Sequence, residues 1–234
     1  YRDTLVWVGG SGSGPRTATY VAPKPELVQE CMDDFLAFLR RDDLPVLLQI
    51  AIGHAQFETI HPFVDGNGRV GRALVHVLLR NKGLVTKITP PVSAGLLAHT
   101  EQYFEALMRY RDGDASPIVD GFSAACDFAC STGKSLIDGL AAQLDEARSG
   151  LHGVRRDAAA WKVLPLLIEQ PVLNVEFLVQ RLSMSAVTAN RALRVLEDKG
   201  ILVTTMGGRR NRVWEHKGIL SLLDDYAAGM RRSI

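Results

Sequence analysis

Apolar residues recur at helical spacing through most of the first 150 residues of the chain. Between Glu26 and Arg40 they stand three and four positions apart, which predicts an amphipathic helix. The stretches from Pro45 to about Thr59 and from about Gly68 to Lys82 are largely apolar, which predicts two buried helices. Further helical patterns cover roughly His99–Tyr110, Ile118–Gly133 and Lys134–Arg148.

Two short β-prone runs interrupt this pattern near the start of the chain. Leu5 to Val8 is followed by a glycine-rich turn, and Thr17 to Val21 is suited to return as a second strand. Runs of this kind on either side of a turn predict a β-hairpin over about residues 5–21.

A change of composition at residues 149–153 predicts a domain boundary. Beyond it the pattern predicts three helices, with Ser185 as the N-cap of the last, and then a hairpin over Ile201–Trp214 that turns at Gly207-Gly208. These helices cover Ala159–Glu169, Val175–Leu182 and Ala186–Lys199. The order is typical of a winged helix-turn-helix. The predicted fold is therefore mainly α over residues 1–150, followed by a small α+β winged-helix domain over 155–234.

Composition and charge narrow the class of protein. The 234 residues are 47% hydrophobic and carry a net charge of +1, which is ordinary for a soluble globular protein. No apolar run approaches the ~20 residues that span a bilayer, and no leader pattern begins the sequence, so we expect a cytoplasmic protein without membrane contact. Residues 155–234 hold 13 Lys and Arg against 8 Asp and Glu, which indicates a separate, basic module.

The segment His61–Arg72 has the properties of an anion-binding loop. Gly66 and Gly68 allow the backbone to curl, and the predicted helix that begins there offers unpaired N–H groups and the positive end of its dipole. Arg69 and Arg72 stand three apart on the same helical face, where both can bind phosphate oxygens. We interpret this segment as a phosphate site.

Two further side chains add chemistry to this loop. Asp65 supplies a carboxylate of the kind that Mg²⁺ prefers beside phosphates. His61 supplies a base whose unperturbed pKa of about 6.5 suits proton abstraction near neutrality. A base, a metal ligand, an anion cradle and paired cations together indicate phosphoryl or nucleotidyl transfer.

The string His61-Pro-Phe-Val-Asp-Gly-Asn-Gly-Arg-Val-Gly-Arg72 resembles the Fic family motif, HPF-x-[DE]-GNGR-xx-R, at every constrained position. The residues from His54 to Ile60, Val6 to Gly10, and Tyr103-Phe104 also resemble Fic sequence. The resemblance covers about residues 1–130 and implies a Fic-type helical bundle in which the early hairpin is a flap.

The resemblance also implies an activity, the transfer of AMP from ATP to a Ser, Thr or Tyr hydroxyl of a target protein, with release of pyrophosphate. His61 would deprotonate the hydroxyl, and Asp65 would hold Mg²⁺. The remaining motif residues would bind the phosphates of ATP: Gly66, Asn67, Gly68, Arg69 and Arg72. Asn67 and Arg72 would also be catalytic. Gly68 favours AMP transfer, since the kinase-like Doc branch has lysine there.

Other regions receive roles with alternatives. The resemblance implies that flap residues Val6, Trp7 and Val8 dock the target segment, although an ordinary stabilising hairpin would show the same pattern. Tyr103 and Arg111 fall where the family lines its adenine pocket, although a tyrosine on a helix face is often a core residue. The target is not specified, and the protein itself is one candidate.

Regulation and the basic module leave two further expectations. The inhibitory pattern [ST]-xxx-E-[GN] of many Fic proteins does not occur in these residues. Such a helix could precede Tyr1 in a longer chain or belong to another subunit, and we expect these residues by themselves to be constitutively active. Arginines of the predicted recognition helix and wing are candidate DNA contacts, namely Arg191, Arg194, Arg209, Arg210 and Arg212. Protein docking or a homodimer would use the same module. The alternative functions are transfer of another phosphate-containing group, and DNA-binding regulation with a Fic sensor domain.

Overall fold

The computed structural model describes residues 1–10, 14–206 and 212–232. The described part of the chain is mainly helical, with 66% of those residues in helices, as the apolar periodicity predicts. It divides into two compact units, the first mainly Tyr1–Ser131 and the second Thr132–Arg231. The predicted domain limits, 1–150 and 155–234, remain predictions. None of the helices in the described ranges is both long and apolar enough to cross a membrane.

The first unit combines a short hairpin with helices. Strands β1 (Trp7–Val8) and β2 (Tyr20–Val21) pair antiparallel, with Trp7 opposite Val21, so the predicted hairpin is confirmed. Single 3₁₀ turns cover Pro15–Thr17 and Pro25–Leu27. The helices are α1 Val28–Leu39, α2 Val46–Ile60, α3 Asn67–Asn81, α4 Val92–Leu97, α5 Thr100–Arg111 and the first half of α6 (Ser116–Gly150), which continues into the second unit.

Helix α2 lies at the centre of this unit, which explains why its sequence is apolar on nearly all sides. It packs against α1, α3 and α5. Its small residues Ala51 and Ala55 are fully buried and allow the neighbouring helices to approach closely. Ile50 joins them in a core that α3 and α5 complete with Val75 and Leu107. The loop that follows α2 is therefore fixed by a helix that cannot shift without disturbing the core.

The structure corrects two of the predicted helices. The two helices expected between Ile118 and Arg148 are one continuous helix, α6, because Gly133 lies within it without breaking it. The helix expected over residues 159–169 is divided into α7 (Ala159–Val163) and α8 (Leu166–Glu169). Pro165 stands at this break, where it supplies no N–H to continue the helical bonds.

The second unit contains α7, α8, α9 (Val175–Leu182), α10 (Ala186–Asp198) and α11 (Lys217–Arg232). Strands β3 (Val172–Leu173), β4 (Val203–Met206) and β5 (Val213–Glu215) form an antiparallel sheet in the order β3-β5-β4. The predicted pairing of the last two strands is confirmed, while its predicted turn at Gly207-Gly208 lies outside the described residues. Helix α11 and strand β3 were not predicted.

The predicted cap of α10 is confirmed, since the Ser185 Oγ accepts a hydrogen bond from the Thr188 backbone N–H at 3.1 Å. Asn174 caps α9 in the same way through the Phe177 N–H at 2.8 Å. Trp214, Leu178 and Leu193 are fully buried in this unit. The core of the second unit is thus built from its helices and from the central strand of its sheet.

Candidate active site

The predicted catalytic loop joins α2 to α3 through two left-handed residues. His61 ends α2 with φ 52° and ψ 59°, and Gly66 precedes α3 with φ 82°. Glycine adopts this conformation without strain, whereas a histidine needs surrounding contacts to hold it there. The chain therefore reverses over five residues and directs the N-terminus of α3 towards the loop.

Asn67 braces this loop from inside. Its side chain is buried, with 2% of its surface exposed. The Phe63 N–H donates to Asn67 Oδ1 at 2.9 Å, and Asn67 Nδ2 donates to the Phe63 carbonyl oxygen at 2.8 Å. Both ends of the amide are thus engaged with one backbone residue, which closes residues 63–67 into a ring. The predicted contact of Asn67 with a phosphate remains a prediction.

Asp65 and Arg69 lie on the open side of the loop. Asp65 Oδ1 accepts from the Gly66 N–H at 2.6 Å, and its Oδ2 lies 3.3 Å from Arg69 Nη2. Their side chains are 90% and 76% exposed, and an ion pair this exposed contributes little to stability. Either group can therefore exchange its partner for a ligand at little cost.

Asp65 also suits the predicted magnesium site. Mg²⁺ usually takes one or two protein carboxylates and completes its coordination with substrate phosphates and water. Within the described ranges no group of three or more His, Cys, Asp and Glu side chains could hold a metal. One exposed carboxylate beside an anion site fits an ion that arrives with phosphates, and Asp65 is that carboxylate.

The ring of His61 is oriented by a backbone carbonyl. His61 Nδ1 lies 3.3 Å from the carbonyl oxygen of Glu58. Because a carbonyl oxygen only accepts, Nδ1 carries the proton in this arrangement and Nε2 has a free lone pair. Burial lowers the pKa of His61, and the charges of Arg111 and Arg2 lower it further, against the raising effect of the Glu58 carbonyl. His61 is therefore held in the neutral form that can accept a proton.

His61 opens onto a cavity of about 240 Å³ between the hairpin and α5. The hairpin contributes Val8 and Tyr20, and α5 contributes Phe104 and Arg111. Leu107 and Met108 complete a mainly apolar wall. The Arg111 guanidinium stacks on the Tyr20 ring, with its central carbon 3.4 Å from the ring centre. A flat, apolar group could occupy this cavity beside the base.

Tyr103 does not line this cavity. It is buried, and its hydroxyl lies 2.8 Å from His54 Nε2 on α2. Tyr103 borders a different cavity, of about 480 Å³, together with residues of α4 and α6. The neighbouring Phe104, which is half exposed, faces His61 instead. Of the two residues predicted for a nucleobase, the structure therefore brings only Arg111 beside His61.

The hairpin residues predicted to dock a target have different environments. Val6 is buried, and its carbonyl oxygen accepts from the Ala22 N–H at 3.1 Å. Trp7 is exposed, while Val8 pairs with Tyr20 and lines the cavity beside His61. The hairpin thus lies next to His61, and two of the three predicted docking residues, Trp7 and Val8, are accessible.

A buried carboxylate beneath α3 was not predicted. Glu58 is 6% exposed, and among the described residues its Oε1 has no hydrogen-bond partner. A Cβ at Gly71 would collide with this oxygen, so Gly71 allows α3 to pass over the carboxylate. Burial raises the pKa of Glu58 to about 7, against the lowering effects of Arg72 and Arg111. A charged residue within an otherwise apolar helix was the signal that could have identified it.

The arginines predicted to contact DNA fall in the second unit. Arg191 and Arg194 are exposed on α10, beside the exposed Val187 and Thr188. Arg212 is also exposed. Arg209 and Arg210 lie outside the described residues.

Known proteins resemble the part of the chain that holds this site. Residues 1–79 match the model of the Fic/DOC family. A protein adenylyltransferase Fic of Nematostella vectensis is 33% identical over 129 residues, which are 54% of this chain and 26% of that protein. One of Drosophila grimshawi is 31% identical over 129 residues, 54% of this chain and 23% of that protein. A probable protein adenylyltransferase of Aquifex aeolicus is 33% identical over 97 residues, which are 41% of this chain and 28% of that protein.

A solved structure shares the fold. The crystal structure of a Fic family protein from Desulfovibrio desulfuricans G20 aligns with a TM-score of 0.50 and 25% identity, over 92% of this chain and 62% of that one. Residues 1–79 are therefore similar to Fic/DOC family domains. The curated relatives are longer proteins, of which the matched region spans about a quarter.

Proposed function

We propose that the chain transfers AMP from ATP to a Ser, Thr or Tyr hydroxyl of a target protein and releases pyrophosphate. The observation that carries this proposal is the pairing of a neutral histidine, whose Nε2 is free, with the N-terminus of α3 across a loop of five residues. A proton acceptor beside an anion site is the arrangement that attack of a hydroxyl on a phosphate requires.

In the proposed reaction His61 Nε2 takes the proton of the target hydroxyl. The oxygen then forms a bond to the α-phosphorus while the bond from that phosphorus to the pyrophosphate oxygen breaks. His61 holds the proton during this step and then releases it to solvent or to pyrophosphate. The backbone N–H of Gly68, and that of Gly66 once it is released from Asp65 Oδ1, would support the α-phosphate, and Asn67 holds this backbone in place through its bonds to Phe63.

The leaving pyrophosphate would be held by Arg69 and Arg72, which lie on the first turns of α3. Bound Mg²⁺ at Asp65 would supply neutralising charge for the phosphates. The nucleobase would occupy the 240 Å³ cavity, between Phe104 and Arg111 on α5 and the hairpin. The α-phosphate, the leaving pyrophosphate and the nucleobase of ATP would then have separate sites within the first unit.

The choice of AMP over phosphate transfer rests on Gly68. A Cβ at this position would lie 3.3 Å from Arg72 Nη1, so a long side chain would displace Arg72. The kinase-like branch of the resembled family has lysine there. With glycine, Arg72 would keep access to the β- and γ-phosphates, and the α-phosphate would then lie beside His61.

Transfer from ATP labelled at either phosphorus tests the proposal. Label from the α-position, but not from the γ-position, should appear on protein with the wild-type chain. His61→Ala should abolish this transfer. His152→Ala is the matched control, because His152 is exposed outside the site, and it should retain full transfer. Label from the γ-position alone would show a kinase, and no label from either position would refute transfer from ATP.

One observation supports a second function. The second unit has the helix order and the antiparallel sheet of a winged helix-turn-helix, and α10 presents Arg191 and Arg194 to solvent. We propose that this face binds DNA phosphates. A gel shift of the full chain at low salt should weaken in the Arg191→Ala/Arg194→Ala double variant. Absence of any shift at low salt would refute DNA binding.

A further inference from the structure

The last carbonyl groups of α2 have no partners within their own helix, yet each is bound from elsewhere in the first unit. The backbone carbonyl oxygen of Glu58 accepts from His61 Nδ1 and, at 3.4 Å, from Arg111 Nη2. The Thr59 oxygen accepts from the Tyr20 hydroxyl at 2.7 Å. The next carbonyl groups, of residues 60–62, all accept from Arg2.

Arg2 is one of the most buried charged residues of the described chain, with 4% of its surface exposed. Its three nitrogen groups and its backbone all donate. Nε donates to His61 O at 2.8 Å, Nη2 to Pro23 O at 2.5 Å and Ile60 O at 3.3 Å, Nη1 to Thr4 O at 3.0 Å, and the backbone N–H to Pro62 O at 2.9 Å. Only the planar, forked guanidinium offers donors in so many directions.

These bonds connect two parts of the site that are distant in sequence. Thr4 stands three residues before β1 and Pro23 two residues after β2, whereas Ile60 and His61 form the junction of α2 with the catalytic loop. The bond from Nε reaches the carbonyl of the residue with the left-handed conformation, φ 52°. Arg2 therefore stabilises the backbone turn that directs the His61 ring towards the cavity.

Arg2 also influences His61 through its charge. A nearby positive charge disfavours protonation of an imidazole and keeps the ring able to accept a proton. The other charged or titratable groups around His61 among the described residues are Arg111 on α5, Tyr20 on the hairpin and Glu58 on α2. Arg2 is distinct from these because it binds the His61 backbone directly.

We propose that Arg2 is a positioning residue for His61, which fixes the base and both ends of the target-docking hairpin in one arrangement through a single side chain. The proposal rests on the proposed function, since it assigns His61 the role of base. The bonds of Arg2 predict two separable contributions, one from geometry and one from charge.

The test compares Arg2→Lys and Arg2→Met with the wild-type chain. Arg40→Met is the matched control, because Arg40 is exposed at the end of α1. The first measurement is the pH profile of AMP transfer. Both Arg2 variants should lose about tenfold or more in kcat, since a displacement of about 1 Å can cost ~100-fold, while KM for ATP changes much less. The acid limb should move to higher pH in Arg2→Met and stay in place in Arg2→Lys.

The second measurement is an NMR titration of the His61 ring without substrate, which does not depend on any transferase activity. The His61 pKa should rise in Arg2→Met relative to the wild type, Arg2→Lys and Arg40→Met.

Wild-type kcat in Arg2→Lys together with an unchanged His61 titration in Arg2→Met would overturn the proposal. If Arg2→Met does not fold, a wild-type kcat in Arg2→Lys alone overturns it, and a loss of kcat at unchanged KM supports it. If no protein is modified but the titration shifts as expected, the proposed function fails while the positioning of His61 stands.

Discussion

Replacing Asn67 tests whether the catalytic loop is braced from inside. Asn67→Ala removes two hydrogen bonds to the backbone of Phe63, of 2.9 and 2.8 Å. A hydrogen bond contributes about 1 kcal/mol, and a polar group left unsatisfied costs about 1–3 kcal/mol. Since Phe63 is only half buried, water can replace part of what is lost. We therefore expect the free energy of unfolding to fall by about 1–3 kcal/mol.

Urea unfolding of Asn67→Ala, followed by circular dichroism, measures this loss. The matched control is Asn81→Ala, because Asn81 is exposed at the other end of the same helix, and its effect should stay within about 0.5 kcal/mol. Asn67→Asp should keep the bond from the Phe63 N–H but place a negative charge at the anion site, so ATP binding should weaken more than stability. Wild-type unfolding of Asn67→Ala combined with loss of ATP binding would refute the bracing role and favour direct contact with phosphate.

Three further variants test the environment beneath the loop. Gly71→Ala places a Cβ against the Glu58 carboxylate and should lower the unfolding free energy by about 1–3 kcal/mol in urea. Glu58 has a pKa raised from 4.5 to about 7 by burial. Its stabilisation should be complete below pH 4.5 and decline by up to about 3 kcal/mol towards pH 7, a decline that Glu58→Gln should remove. Burial lowers the pKa of His54 from 6.5 to about 4. The free energy of unfolding should therefore decline from pH 6.5 towards pH 4, and this decline should be smaller in His54→Gln. Unchanged pH profiles in these variants would contradict the assigned burial.

Features that depend on local spacing could be predicted from the sequence. The two helices around the loop, the hairpin over residues 5–21 and the Ser185 cap follow from apolar periodicity and from the preferences of short polar residues. The sequence pattern predicts a helix end at Gly133, yet α6 continues through it. A single glycine lowers helix stability by only about 1 kcal/mol, which surrounding packing can offset.

Features that depend on contacts distant in sequence could not be predicted. Arg2 lies near the start of the chain, and nothing in its local sequence indicates that it binds the carbonyl groups of residues 60 and 61. Tyr103 and Phe104 are adjacent, and which of them faces His61 depends on the rotation of α5 against α2. The hydrogen bond between Tyr103 and His54 favours the observed rotation, because it satisfies two buried polar groups.

The composition of the modified product tests the central claim most directly. The chain should be incubated with ATP and Mg²⁺, alone and with a protein extract of its host, and the modified peptides should be analysed by mass spectrometry. The account predicts an adduct of adenosine with one phosphorus on a Ser, Thr or Tyr oxygen, absent with His61→Ala and retained with His152→Ala. A phosphoryl adduct without adenosine, or an adenylyl adduct that forms equally well with His61→Ala, would contradict it.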